Sequence, residues 1–184
     1  DELCFSVYHR LFVQRSDERL RRAVFPRDFS APLAPGEVPV YEVASLNSDD
    51  GKGLLRLLAP DVVLMESRER LDQEVLAIPR LGVIGCHPGI LPDYRGVYAP
   101  FWAMARGEPE KVGWSIYRAD DGLDTGALIA QRRSPPKFPL RHFKVESERL
   151  MVEGATELLK AAEVAGWDAV TASGPPASRG GAFT

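Results

Sequence analysis

Leu81-Gly82-Val83-Ile84-Gly85-Cys86-His87-Pro88-Gly89 decides the fold, because an apolar run of strand length ends on a histidine and then meets Pro and Gly. The run lacks the polar–apolar alternation of a half-solvated strand, so it predicts a strand buried on both faces, as inside parallel sheets. Asp61-Val62-Val63-Leu64-Met65 repeats the pattern, and Arg70–Leu76 between the two reads as a helix. Upstream, Val38–Val43 predicts a strand and Gly53–Leu58 a helix. Downstream, Tyr98–Arg106 reads as a helix closed by Gly107, and Gly113–Arg118 and Ala127–Gln131 as strands joined through an Asp-rich turn. Residues 145–165 place Val145, Leu150, Val152, Ala155, Leu158, Leu159 and Ala162 on one apolar stripe, the mark of a packed helix.

Strands alternating with helices predict a single α/β layered domain with a mostly parallel sheet over residues 1–172. In such sheets ligands sit beyond the carboxyl ends of the strands, which puts His87 on the ligand-binding rim. The turn Asp120–Gly126 links two strands and can reach the same rim. Residues 1–36 are less regular. Leu3–Tyr8 reads as a strand or a helix end, Ser16–Val24 as a charged helical turn, and Pro26, Pro32 and Pro35-Gly36 as loop. Residues 173–184, rich in Gly, Pro and Ser, read as loop or frayed tail.

Composition narrows the function classes. A chain of 184 residues that is 45% hydrophobic fits one domain with a proper core and excludes disorder. No apolar run is long enough to span a membrane, and the start has no basic n-region, so neither a membrane segment nor a signal peptide is expected. A net charge of −3 leaves no footprint for a nucleic-acid partner. Cys4 and Cys86 form neither a metal-ligand spacing nor a disulfide framework, so no metal and a reduced, cytoplasmic setting are expected.

The chemistry points to proton transfer. Imidazole titrates near neutral pH, and a carboxylate beside it can hold its tautomer, so His87 and an aspartate of the 120–126 turn form a candidate pair. Asp120, Asp121 and Asp124 compete for that place, and an Asp/Gly turn is also simply good turn chemistry. Arg95 either binds an anionic group bidentately or ties its own loop to a carboxylate such as Asp93 or Asp124. Phe101, Trp102 and Met104 read as core, and His9 and His142 show no partner pattern.

Four blocks carry a resemblance: His-Pro-x-x-Leu-Pro-x-Tyr-Arg-Gly from His87 to Gly96, Phe101-Trp102-Ala103-Met104, Gly107-Glu108, and Asp121-Gly122-Leu123-Asp124-Thr125-Gly126. In order and spacing they resemble the formyltransferase family, whose members formylate glycinamide ribonucleotide, initiator methionyl-tRNA and amino sugars with 10-formyl-tetrahydrofolate. The resemblance implies a Rossmann-like, formyltransferase-like domain in which His87 and Asp124 are catalytic. It implies 10-formyl-tetrahydrofolate as co-substrate, with contacts at Arg70, Leu71, Asp121, Gly122 and Leu123, and acceptor contacts at Gly89 and Arg95. Arg68 or Arg70 can engage a folate glutamate tail, or both belong to a solvated helix start. The tRNA-directed enzymes carry a further C-terminal domain, so the expected acceptor is a small-molecule amine, an amino sugar or other metabolite.

Two departures stand out. The family's first strand-turn unit has no clear copy here, being either absent or diverged within residues 1–24. The family also has an Asn two residues before its catalytic His, where the amide donates to the forming oxyanion; here that position is Gly85. Losing one such donor costs about 100- to 1000-fold in rate. Two alternatives to formyl transfer therefore stand: a folate- or partner-binding module whose catalysis has lapsed, and a formyl-tetrahydrofolate hydrolase.

Overall fold

The computed structural model describes residues 14–25, 39–67, 69–172 and 182–183. Its centre is a four-stranded sheet of β1 (Val63–Met65), β2 (Val83–His87), β4 (Gly113–Arg118) and β5 (Ala127–Arg133), in the order β1-β2-β4-β5. The strand β3 (Tyr94–Arg95) stands apart and pairs in parallel with β6 (Ala182–Phe183). Residues 182 and 183 are thus part of a strand pair, where the composition of the tail predicts only loop.

Helices cover both faces of the sheet. On one, the long helix α5 (Phe143–Ala165) buries Leu150 and Leu158 against Ile84, Trp114 and Ile116. The short helix α4 (Ala99–Ala105) adds Ala99 and Ala103 to the same cluster. On the other, α2 (Asp49–Leu58) and α3 (Gln73–Leu76) bring Leu55 and Val75 onto Val83 and Leu71. Val83 and Ile84 belong to opposite clusters because successive strand residues point to opposite faces. α2 starts where its terminal donors find a partner, the Ser48 hydroxyl accepting from the Gly51 N–H at 3.1 Å. Asp49 and Asp50 in its first turn complement the helix dipole.

Among the described residues the sheet is mixed, where a mostly parallel one was expected. β1 and β2 run parallel, but β2–β4 and β4–β5 are antiparallel. A parallel neighbour needs a long crossover, whereas β4 and β5 are joined directly by the Asp turn. For β2 and β4, burial on both faces yields the same apolar run in either direction, so their composition could not distinguish the two. The strand expected at Val38–Val43 is also absent among the described residues 39–43; Val40 and Tyr41 are largely exposed there, and Pro39 has no N–H to give a ladder. The helix expected at Arg70–Leu76 begins only at Gln73, after Asp72 as its cap. The expected helix at Ser16–Val24 is present as α1 (Gln14–Val24), and Leu3–Tyr8 lies outside the described residues. Along α5, Val152 and Leu159 are exposed, so its buried stripe is narrower than expected.

His142, given no role from sequence, is a buried structural partner. Its Nδ1 lies 2.7 Å from Asp17 Oδ1, tying α1 to the short helix that leads into α5. No helix of the described residues is long and apolar enough to cross a membrane.

Candidate active site

β2 delivers His87 at its last residue, buried to 4% exposure. The loop that follows is clamped rather than loose. Ser115 on β4 donates to the Gly89 carbonyl at 2.6 Å and accepts from the Leu91 N–H at 3.1 Å, and Gln131 on β5 donates to the Leu91 carbonyl at 2.8 Å. Gly89 lets this loop fold onto the imidazole, because a Cβ there would stand 2.7 Å from His87 Nε2.

The tautomer of His87 follows from its partner. Nε2 lies 2.7 Å from the Tyr94 carbonyl oxygen, which only accepts, so the proton of the neutral ring sits on Nε2. Nδ1 is left as the basic nitrogen, 3.5 Å from Asp124 Oδ2. Burial lowers the pKa of His87, with Asp124 and the Tyr94 carbonyl pulling the other way. The ring is therefore neutral and ready to accept a proton at neutral pH.

Geometry selects Asp124 from the three aspartates. Asp120 spends its carboxylate inside the turn, accepting from the Gly122 N–H at 3.0 Å and the Thr125 hydroxyl at 2.6 Å. Asp121 accepts from Gln73 Nε2 at 3.3 Å, outside the rim. Asp124 alone turns inward, with a left-handed backbone at φ 50° that an aspartate tolerates better than most residues. Its Oδ2 accepts from the Gly96 N–H at 2.8 Å and its Oδ1 from the Tyr117 hydroxyl at 2.7 Å.

Tyr117 escaped the sequence reading. It stands directly across the ladder from Gly85, and its ring fills the space where a side chain at 85 would begin: a Cβ on Gly85 would lie 2.4 Å from Tyr117 Cζ. Burial and the neighbouring Asp124 carboxylate raise the phenol's pKa, so it stays protonated and donates. A glycine inside a strand is the only trace of this in the sequence, and reading it requires the register.

A cavity of about 540 Å³ opens over these groups, within the range of small-molecule sites. His87, Asp124 and Tyr117 share its wall with Met65, Leu123 and Met151. A crevice of about 20 Å³ adjoins it, lined by Arg70, Leu71, Gly122 and Leu123 together with Tyr117 and Asp124. The wall thus combines apolar side chains with a few convergent polar groups, the make-up of a small-molecule site. A hollow of about 550 Å³ on the α5 side of Cys86 is almost wholly apolar apart from the Arg21–Glu148 ion pair and Glu66, so the proton chemistry belongs to the first cavity.

The remaining sequence candidates divide. Leu71 is 4% exposed and belongs mainly to the core around Leu55 and Val83. Arg70 donates through Nε to the Asp121 carbonyl at 2.9 Å, so it braces the Asp turn at the crevice mouth. Arg95 and Gly89 do not reach the cavity: Arg95 is fully buried in β3, and Gly89 is packed beneath the imidazole. Those two acceptor contacts are corrected to structural positions. Arg68 lies outside the described residues. Among the described residues no cluster of three or more His, Cys, Asp or Glu is arranged to hold a metal ion.

The formyl transferase family profile matches residues 15–149. A methionyl-tRNA formyltransferase from Thermotoga maritima is 32% identical over 139 residues, which are 75% of this chain and 44% of that protein. The chain therefore spans less than half the length of that relative. A sugar N-formyltransferase structure from Shewanella superposes with a TM-score of 0.56 at 20% identity, covering 94% of this chain and 72% of that one. A formyltransferase structure from Anoxybacillus kamchatkensis, in complex with a UDP-linked formamido sugar and tetrahydrofolate, gives 0.52 at 21% identity, covering 67% and 62%. These likenesses carry the fold.

Proposed function

The chain belongs to the formyl transferase family, and from that premise we propose that it moves a formyl group from 10-formyl-tetrahydrofolate to an amine of a small molecule. The observation that carries this reading is the basic Nδ1 of His87 facing Asp124 on the wall of a cavity of about 540 Å³. Amine attack on a formyl carbon requires a proton acceptor, and a neutral buried imidazole beside a carboxylate meets that need near pH 7. His87 Nδ1 takes the proton, and Asp124 Oδ2 holds the resulting imidazolium. When bound, the folate supplies the activated formyl group. Leu123 and Gly122 on the Asp turn, with Arg70 bracing it, form the side that would receive the folate.

Acceptor chemistry follows from the cavity wall. Glu66 and Asp124 are acidic, and no Lys or Arg lines the cavity among the described residues, which supports an acceptor amine carried on a neutral body over a phosphorylated one. An amino sugar or a comparable metabolite amine has that character.

The test is turnover of 10-formyl-tetrahydrofolate by the full chain, with and without a panel of amino sugars and small amines, beside His87→Ala. Amine-dependent loss of donor that disappears in His87→Ala is the expected result. Formate release without an acceptor would instead identify a hydrolase, and folate binding without turnover a binding module.

A further inference from the structure

Gly85 leaves the strand without a side chain at the point nearest the reacting groups, and Tyr117 occupies that space from the opposite strand. We propose that the Tyr117 hydroxyl is the hydrogen-bond donor to the oxyanion that develops on the formyl carbonyl, doing from β4 what no side chain at position 85 can do from β2. The assignment rests on the formyl-transfer reading above.

Three observations meet in it. The ring lies over Gly85 so closely that a Cβ there would sit 2.6 Å from Cε1 and 2.7 Å from the hydroxyl oxygen, so the phenol fills the volume next to His87 from which a donor at 85 would act. Tyr117 lines both the main cavity and the adjoining crevice, together with Leu123 and Asp124. The hydroxyl also carries its proton 2.7 Å from Asp124 Oδ1, linking it to the group that manages protons.

The link supplies a switch. In the resting site the phenol donates to the Asp124 carboxylate, and its proton is engaged. The amine nitrogen then forms its bond to the formyl carbon, the carbonyl π pair moves onto oxygen, and the ammonium proton passes to His87 Nδ1, where Asp124 Oδ2 holds the imidazolium. The imidazolium draws the carboxylate charge toward Oδ2, which weakens the hold of Oδ1 on the phenol and frees the phenol O–H to turn onto the oxyanion. On collapse the carbonyl re-forms, the bond to the leaving nitrogen breaks with its electron pair, and the His87 imidazolium returns the proton to that nitrogen. Tyr117 keeps its own proton throughout and swings back to the carboxylate. A donor aimed at charge present only in the transition state lowers the barrier without tightening the ground state.

An aromatic ring covering a cross-strand glycine is also a known packing device, and it needs no hydroxyl. Tyr117→Phe separates the two roles, since the ring and its packing remain. The expected result is a kcat lower by about 100-fold, with KM for the folate donor changed by less than about threefold and an unchanged urea midpoint. A second readout needs no turnover. In the ligand-free protein, Asp124 without its phenol donor presents more of its charge to His87, so the His87 pKa measured by NMR rises.

Wild-type turnover with Tyr117→Phe within about threefold of it overturns this assignment and leaves formyl transfer standing. An unmoved His87 pKa, or a loss expressed mainly in KM, overturns it as well. A wild-type chain that turns over no 10-formyl-tetrahydrofolate overturns both readings together.

Discussion

Gly85→Ala adds one methyl group, and the structure predicts a large cost for it. Gly85 does not have a positive φ, so the backbone accepts an alanine, and only space opposes it. The new Cβ would lie 2.4 Å from Tyr117 Cζ. Ordinary carbon contact begins near 3.5 Å, so the ring must retreat by roughly 1 Å. Tyr117 is 6% exposed and packed with Leu91, so that retreat strains a filled core at about 1–3 kcal/mol. The same retreat stretches the 2.7 Å bond to Asp124 beyond hydrogen-bond range. Losing a donor to a charged acceptor adds about 1.5–3 kcal/mol.

The sum, about 2.5–6 kcal/mol, lowers a urea midpoint by roughly 1–3 M at an m-value near 2 kcal/mol/M. The decisive control is the same substitution in a Tyr117→Ala background. There the obstacle is gone, and Gly→Ala stabilises by about 0.4–1 kcal/mol through reduced entropy of the unfolded chain. The effect must therefore change sign between the two backgrounds. A Gly85→Ala protein within about 0.5 kcal/mol of wild type, or an equal cost in both backgrounds, refutes the reasoning. Gly85→Asn, which the family resemblance suggests as a repair, meets the same ring and is expected to fail unless Tyr117 is made smaller.

Two further predictions concern titration and reactivity. Burial lowers the pKa of His87 below its ordinary 6.5, so the native state binds fewer protons than the unfolded chain. Stability contributed by this group is present above about pH 6.5 and is lost as pH falls from there through the folded value. His87→Gln should flatten that acid limb in denaturation curves taken from pH 7.5 to 5, and an unchanged limb would show that His87 does not produce it. Burial also pushes the Cys86 thiol up to about 12, which leaves roughly one thiol in ten thousand ionised at pH 8. Peptide mapping after iodoacetamide should find Cys86 unmodified until urea unfolds the chain; rapid labelling in the native protein would contradict the raised thiol pKa.

Much of the site was legible in the primary structure for a local reason. An apolar run that stops at His87-Pro88 marks both a buried strand and its carboxyl end, and the place of His87 on the rim follows from those residues alone. Asp120, Asp121 and Asp124 were recognisable as a turn, yet turn chemistry treats them alike. Which one faces His87 depends on the left-handed backbone at 124 and on donors from Gly96 and Tyr117, residues 28 and 7 positions away. Strand direction was equally hidden, because burial on both faces imposes the same apolar pattern on parallel and antiparallel neighbours.

Arg95 and Gly89 show the converse limit. Their residue types suit a binding site, but a guanidinium in a buried strand and a glycine beneath an imidazole serve packing. Gly85 shows it most plainly. By the family resemblance it is a missing amide and a weakened site; in the fold it is the space that lets a tyrosine reach Asp124. The sequence by itself determined the alternation of elements, the strand end that presents His87 and the turn that holds the carboxylates, because each depends on neighbouring residues and short-range sterics. Cross-strand register, the choice among the aspartates and the entry of Tyr117 were decided only by tertiary structure, because they depend on which residues of separate strands stand opposite one another.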